Sequence, residues 1–339
     1  MWKICLPKQS LLVLSFFLFL SCAPDNHSSS SNPKTENENS KLKPKPGFGI
    51  CSYLDFMGFN WPDNMFDYEK EGLTLALNIT GSFEGPHGWK NLTNDFDGQG
   101  ISMGLMNQNL GTGSLQPLLV KMRQNHFSKF QSLFRPDHFH SLLAMLSQWE
   151  STRVSQQADE IIPSPLDIDS EASINSSTSG SVDWARKTVY DSSGVFNPIW
   201  KQELLNLAGS PEYVSLQIAA AWELHLRSLK LHQKIAVYEL RTYLLMFDIV
   251  VQNGNLKPQD EIDYFDYLNQ NPNASATQRL EKIVELRLRW VKPQFRNDVR
   301  NRKLSLVRGS GRVHGVNREF EKEYCFYNRR AFHLRPTLP

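Results

Sequence analysis

Cysteine is scarce, a surplus of either charge is missing, and the motifs of the common metal and phosphate sites do not occur. Among 339 residues there are four cysteines, with no Cys-x-x-Cys or His-Glu-x-x-His spacing to ligate zinc; the nine histidines, among them His138, His140, His225 and His232, stand outside such patterns, and no metal or cofactor is expected. Gly309-Ser310-Gly311 lacks the lysine of a phosphate loop. Asp95-Phe96-Asp97-Gly98 is faintly like a calcium loop, but Met106 stands where the bidentate glutamate belongs. Lys and Arg number 37 against 35 Asp and Glu, so no overall field draws nucleic acid. What the chain does have is 40% hydrophobic and 11% aromatic residues, enough for a real core and long enough for two lobes.

The apolar run Leu11 to Leu20, behind Lys3 and Lys8, is too short for an ordinary membrane span and reads as an export signal over residues 1–22. It ends in Phe19-Leu20-Ser21-Cys22, which resembles a bacterial lipobox, so Cys22 is the expected lipidation site; plain secretion is the alternative. Residues 23–47 are rich in Ser, Asn, Pro and Lys and cannot bury enough surface to offset ordering, which predicts a flexible tether. The chain is therefore expected at the cell envelope, held to a membrane through Cys22, with a folded domain over 48–339. Cys51 and Cys325 remain at its two ends. They read either as a disulfide closing nearly the whole domain or as two unpaired buried thiols.

Apolar spacing through Leu73, Ala76, Leu77 and Thr80 predicts a helix over Phe66–Phe83 with one buried face, stopped by Gly85 and Pro86. Asn94 to Gly104 has the composition of tight turns and short extended pieces. Helical patterns resume near Ser114, again through Phe139, Leu142, Leu146 and Trp149, and over Pro198–Leu207, Pro211–Leu231, Ile235–Gln252 and Thr277–Lys292. The polar stretch Ser164–Ser181 reads as an exposed loop or lobe connection. The fold class expected is mainly α with a small β element.

Two acids stand out between these helices. Glu84 closes the first helix beside Phe83 and near Trp89, the better setting for a carboxyl that stays protonated. Asp97 opens a glycine-rich turn whose backbone donors favour the anion. Taken singly, a helix-end glutamate is more often a solvated surface residue, and Asp-Gly more often a plain turn.

Together, Glu84 and Asp97-Gly98-Gln99-Gly100-Ile101-Ser102-Met103-Gly104 resemble the catalytic segment of family 46 chitosanases, which belong to the lysozyme-like superfamily. Leu245-Met246-Phe247-Asp248-Ile249-Val250-Val251-Gln252-Asn253-Gly254 is similar to that family's buried helix ending in His-Gly, and Arg287 to Arg302 to its late basic region. The resemblance spans roughly Leu73 to Val307. It implies a lysozyme-like two-lobed fold (α+β) with the active-site cleft between the lobes, and an inverting hydrolysis of β-1,4-linked amino-sugar polymers. Glu84 would be the general acid, Asp97 the general base, and Ser102 the hydroxyl that helps hold the attacking water. Gln99 replaces the family's arginine, Gln252-Asn253 replaces Met-His, and the spacer between the acids is shorter, so sugar contacts differ in kind.

Asn94, Asp95, Gln99, Asn107, Gln108 and Asn253 are the expected substrate-binding residues, with Asn91 nearby; turn Asn and Gln are more often local caps. Arg287, Arg289, Lys292 and Arg296 offer a basic surface suited to the carboxylates of peptidoglycan, or else a solvated helix face. The expected partner is thus a polysaccharide, peptidoglycan or chitosan, and not a nucleic acid. A lytic transglycosylase, relying mainly on Glu84, and a glycan-binding or scaffolding lipoprotein without turnover are the alternatives.

Overall fold

The structure, a computed structural model, describes residues 51–56, 61–157, 171–326 and 330–333, all within one compact unit, Ser40–Pro339. It is mainly helical with small antiparallel sheets. The chain runs through α1 (Asp67–Glu84), β1 (Leu92–Thr93), β2 (Ser102–Met103), β3 (Gln108–Asn109), α2 (Gln116–Asn125), α3 (Phe127–Ser132) and α4 (Pro136–Gln157). It continues through α5 (Glu171–Thr188), α6 (Pro198–Ala208), α7 (Pro211–Ile235), α8 (Leu240–Asn253), α9 (Pro258–Gln270) and α10 (Ala276–Leu288). The described chain then adds α11 (Arg296–Arg308), β4 (Ser310–Val313), β5 (Val316–Glu319) and α12 (Phe320–Tyr324).

Local signals account for several boundaries. Asn197 caps α6 by accepting from Ile199 N at 2.9 Å, Ser210 caps α7 by accepting from Tyr213 N at 3.3 Å, and each is followed by proline at the first helical position. Ser275 and Gln278 form a capping box at the start of α10. The pattern expected to start a new helix at Ile235 breaks instead at Ala236, whose left-handed backbone (φ 53°) ends α7.

Two hydrophobic clusters form inside the unit. One gathers Leu73, Leu77, Phe247, Ile283 and Leu306 from α1, α8, α10 and α11; the other gathers Met103, Leu119, Phe139, Ala185 and Trp200 from β2, α2, α4, α5 and α6. Helix α7 serves both, with Ile218 and Leu229 in the first and Tyr213 and Leu216 in the second. At 1.5 Å per residue it is about 37 Å long, enough to bridge them.

Helix α1 is buried on every side between Gly72 and Gly81, not on one face. Asn78, buried within it, is fully engaged: its Nδ2 donates to Thr74 O (2.8 Å) and Ser52 Oγ (2.9 Å), and its Oδ1 accepts from Tyr53 N (3.0 Å). The stretch Ser164–Ser181, expected as an exposed loop, is helical from Glu171, while residues 158–170 lie outside the described chain. Its small residues allow close packing. Thr178 and Ser181 are buried, Thr178 Oγ1 donates to Gly111 O at 2.7 Å, and Trp184 Nε1 ties α5 to Ser141 of α4 at 2.9 Å.

Cys51 and Cys325 are joined in a disulfide, with Cα atoms 5.4 Å apart across a sequence separation of 274. Cys51 N also donates to Tyr324 O at 3.1 Å, so the first described residues meet the chain again at the end of α12.

Candidate functional site

Glu84 is the last residue of α1, and the chain must turn sharply after it. Gly85 makes that possible: a Cβ there would come within 2.0 Å of Asn91 Oδ1, and the same Asn91 side chain donates through Nδ2 to Glu84 O at 2.9 Å. The Glu84 side chain is 18% exposed, and its Oε1 accepts from Arg302 Nη2 at 2.7 Å. That guanidinium lies 4.9 Å from the centre of the Phe83 ring. Trp89, expected to shield the acid, packs edge-on against Phe56.

Behind Glu84 sits a buried ionic cluster that the sequence reading did not single out. Arg302 donates from Nε and Nη2 to Asp248 Oδ1 (2.9 and 2.7 Å), and Lys303 Nζ donates to Asp248 Oδ2 (3.0 Å) and Gln252 Oε1 (2.9 Å). Asp248 and Lys303 are fully buried and Arg302 nearly so. Burial opposes ionisation of Asp248, but Arg302 and Lys303 outweigh it and hold its carboxyl below the usual carboxylate range. Burial also disfavours the charged Arg302, yet Asp248 and Glu84 more than compensate and push its pKa up. For Lys303 burial wins over Asp248, and its ammonium is pulled down to about 8. Two signals were present: a lone aspartate inside the apolar run Leu244–Val251, and adjacent cations leading into Leu304-Ser305-Leu306.

The second acid lies on the small sheet. Strand β1 pairs with β2 (Thr93 opposite Ser102) and β2 with β3 (Ser102 opposite Asn109), and the β1–β2 connection carries Asp95 and Asp97. Gly98 and Gly100, at φ 82° and 77°, let it fold back. Asp95, expected to meet substrate, is instead the staple of this loop: Oδ1 accepts from Gly100 N at 2.6 Å and Oδ2 from Arg186 Nε at 2.5 Å. Arg186 Nη2 also donates to Gly98 O (3.2 Å), and Tyr190 OH to Gly100 O (2.7 Å). Asp97 remains exposed, held among the described residues only through Oδ1 by Gln99 N at 3.1 Å, and Phe96 beside it is 77% exposed.

The other expected site residues divide. Ser102 Oγ is buried with no hydrogen-bond partner among the described residues, so its hydroxyl faces the fold and not the surface. Gln99 is half-buried against Gly111, where a Cβ would lie 2.2 Å from its Oε1. Gln108 is buried in β3, and Asn107 occupies a left-handed turn position (φ 52°) with its Oδ1 3.4 Å from Thr93 Oγ1. Asn94 is exposed. Asn253 ends α8, and its side chain lies outside the described residues, as do Cys22 and the whole of residues 1–50.

The expected basic surface is also redrawn. Arg287 is buried, and Arg289 is committed to Asp260 (2.9 Å) and Asp263 (2.5 Å), leaving Lys292 and Arg296 exposed. A cavity of about 930 Å³ adjoins the end of α1, lined by Gly85, Pro86, Trp89, Lys90, Tyr53 and Tyr324 among others.

No protein-family model matches this chain, and no curated protein matches it.

Proposed function

We propose that this chain is an envelope-anchored glycoside hydrolase that cleaves β-1,4 bonds of an amino-sugar polymer, peptidoglycan or chitosan, with inversion. The observation that carries the reading is Glu84 itself: a glutamate at a helix end, mostly shielded, fixed by a guanidinium from 218 residues away that is in turn fixed by a buried aspartate. Holding one carboxyl this firmly is what a positioned proton donor needs. Because Arg302 makes two bonds to Asp248 and one to Glu84, its charge is answered chiefly by Asp248. The two hydrophobic clusters bridged by α7 suit a lysozyme-like two-lobed fold with its cleft between the lobes.

In the reaction Glu84 gives its proton to the glycosidic oxygen as the bond from that oxygen to the anomeric carbon breaks. A water bonds the same carbon from the opposite face and loses a proton to Asp97. Solvent exchange then returns Glu84 to its acid form and Asp97 to its anion. The buried Ser102 hydroxyl argues against a direct hand on that water from Oγ, and loop exposure leaves Asp97 free to approach substrate. Anchoring through Cys22 rests on the sequence alone.

The single bond holding Asp97 favours a second reading, a lytic transglycosylase in which Glu84 acts and the sugar's own hydroxyl closes a ring. Glu84→Gln and Asp97→Asn chains, digested against purified peptidoglycan and chitosan with products identified by mass, separate the two. Hydrolysis requires both variants to lose at least about a hundredfold in rate, in line with general acid–base contributions, and the wild-type products to carry reducing ends. Anhydro-sugar products with a tolerant Asp97→Asn chain indicate transglycosylation. An unaffected Glu84→Gln chain ends both readings.

A further inference from the structure

Between α10 and α11 the chain displays two large aromatic rings: Trp290 is 51% exposed and Phe295 55% exposed. Trp290 is also held still. Its Nε1 donates to both oxygens of Asp260 at 3.0 Å, and Asp260 is fully buried, so the indole cannot swing away and its polar end is already satisfied. A tryptophan serving a lipid interface uses its N–H toward the wet headgroup layer. Here that group is consumed inside the protein, and what is offered outward is the ring, a flat platform of the kind that pyranose C–H faces stack on.

Lys292 lies between the two rings in the chain, Arg296 follows Phe295 and Arg300 is one turn further along α11; all three are exposed, and none has a carboxylate within ion-pair distance among the described residues. Arg296 Nε donates only to Val291 O at 2.9 Å. The acids nearby are otherwise engaged: Asp260 and Asp263 share Arg289, leaving one carboxylate uncompensated, and Asp298 pairs with His314 at 3.0 Å. Three open cations against two carboxylates, Asp298 and one of the Asp260–Asp263 pair, leave the surface locally positive.

This face is not part of the Glu84 site. Arg300 and Arg302 are two residues apart on α11, about 200° around the helix, and Arg302 is the one turned inward to Glu84. We propose that Trp290, Phe295, Lys292, Arg296 and Arg300 form a docking surface for a carboxylate-bearing amino-sugar polymer, remote from the cleavage site. The inference rests on the glycoside hydrolase reading and narrows it: a positive surface repels polycationic chitosan and attracts the acidic groups of peptidoglycan. The polymer would stack sugar faces on the rings and set its carboxylates against the cations.

The test is co-sedimentation of the full chain with purified peptidoglycan sacculi, with insoluble chitosan, and with vesicles of phosphatidylcholine and phosphatidylglycerol. It compares wild type with a chain carrying Lys292→Glu, Arg296→Glu and Arg300→Glu, and with Phe295→Ser. All four positions are exposed, and circular dichroism checks that each chain folds. The expected result is salt-sensitive binding of wild type to sacculi, at least tenfold weaker in the triple variant and weaker in Phe295→Ser, with vesicle binding unchanged by either. Equal binding of wild type and triple variant to sacculi overturns the inference, as does wild-type binding to chitosan as tight as to sacculi. A vesicle signal that the triple variant alone loses overturns it in favour of a lipid surface. Cleavage is read separately on wild type: sacculi bound through this surface but never cut would sink the hydrolase reading and leave the docking surface in place.

Discussion

His232 shows how one side chain couples the fold to pH. It is buried in α7, donates from Nε2 to Val237 O at 2.8 Å, and its Nδ1 has no partner among the described residues. Burial, only partly offset by that bond, pulls its pKa down to about 4 from the ordinary 6.5. Between those values the unfolded chain binds the extra proton and the folded chain does not, so stability present above pH 6.5 is lost as pH falls toward 4. The difference corresponds to about 3 kcal/mol. Urea unfolding at pH 7 and pH 4.5 should show wild type losing about 2 kcal/mol more than a His232→Gln chain; equal losses would place the acid sensitivity elsewhere. At this scale the sequence was uneven. Glu84 was legible because a helix stop follows it, whereas Asp95 read as a sugar contact because nothing local announces Arg186, 91 residues away.

Among the elements, α5 matters most to the proposed chemistry and was the hardest to anticipate. Its serine-rich sequence suggested coil, yet Arg186 in its last turn and Tyr190 just beyond its end grip the Asp97 loop at Asp95, Gly98 and Gly100. Exposed Asp97 owes its position to that grip more than to its own bond to Gln99 N. An Arg186→Met chain is expected to lose about tenfold or more in kcat on the glycan it cleaves, a loss of the size misplacement causes, with KM little changed and a Tm within a few degrees of wild type. Arg186→Lys should recover part of it. A loss confined to Tm, or a rise in KM alone, would make α5 a packing element only. Helix α11 escaped notice for a related reason: its surface is so charged that Val299, Leu306 and Val307 do not form a stripe, and its buried Arg302 and Lys303 are tolerated only because Asp248 waits for them.

For the whole molecule, the Cys51–Cys325 bridge is the long-range constraint. Closing a loop of 274 residues removes freedom from the unfolded chain, worth about 5.6 kcal/mol on the chain-entropy account. Reduction should therefore lower the urea midpoint by a matching amount, and an unchanged midpoint after verified reduction would mean that the hydrogen bonds joining residues 51–54 to α1 and α12 already do this work. Such a bridge persists in an oxidising compartment, as the export proposed from residues 1–22 would provide.

From the sequence alone come most helices, the stop after Glu84, the turn chemistry around Asp97 and the pair of cysteines left at the two ends, because each depends on contacts within a few residues. The tertiary structure decided the rest. Which acid is stapled and which is free, which arginines are spent on buried carboxylates and which face outward, and whether two distant cysteines meet all depend on partners tens to hundreds of residues away. No local pattern encodes them; only the packing of α5, α8 and α11 around α1 and the small sheet does.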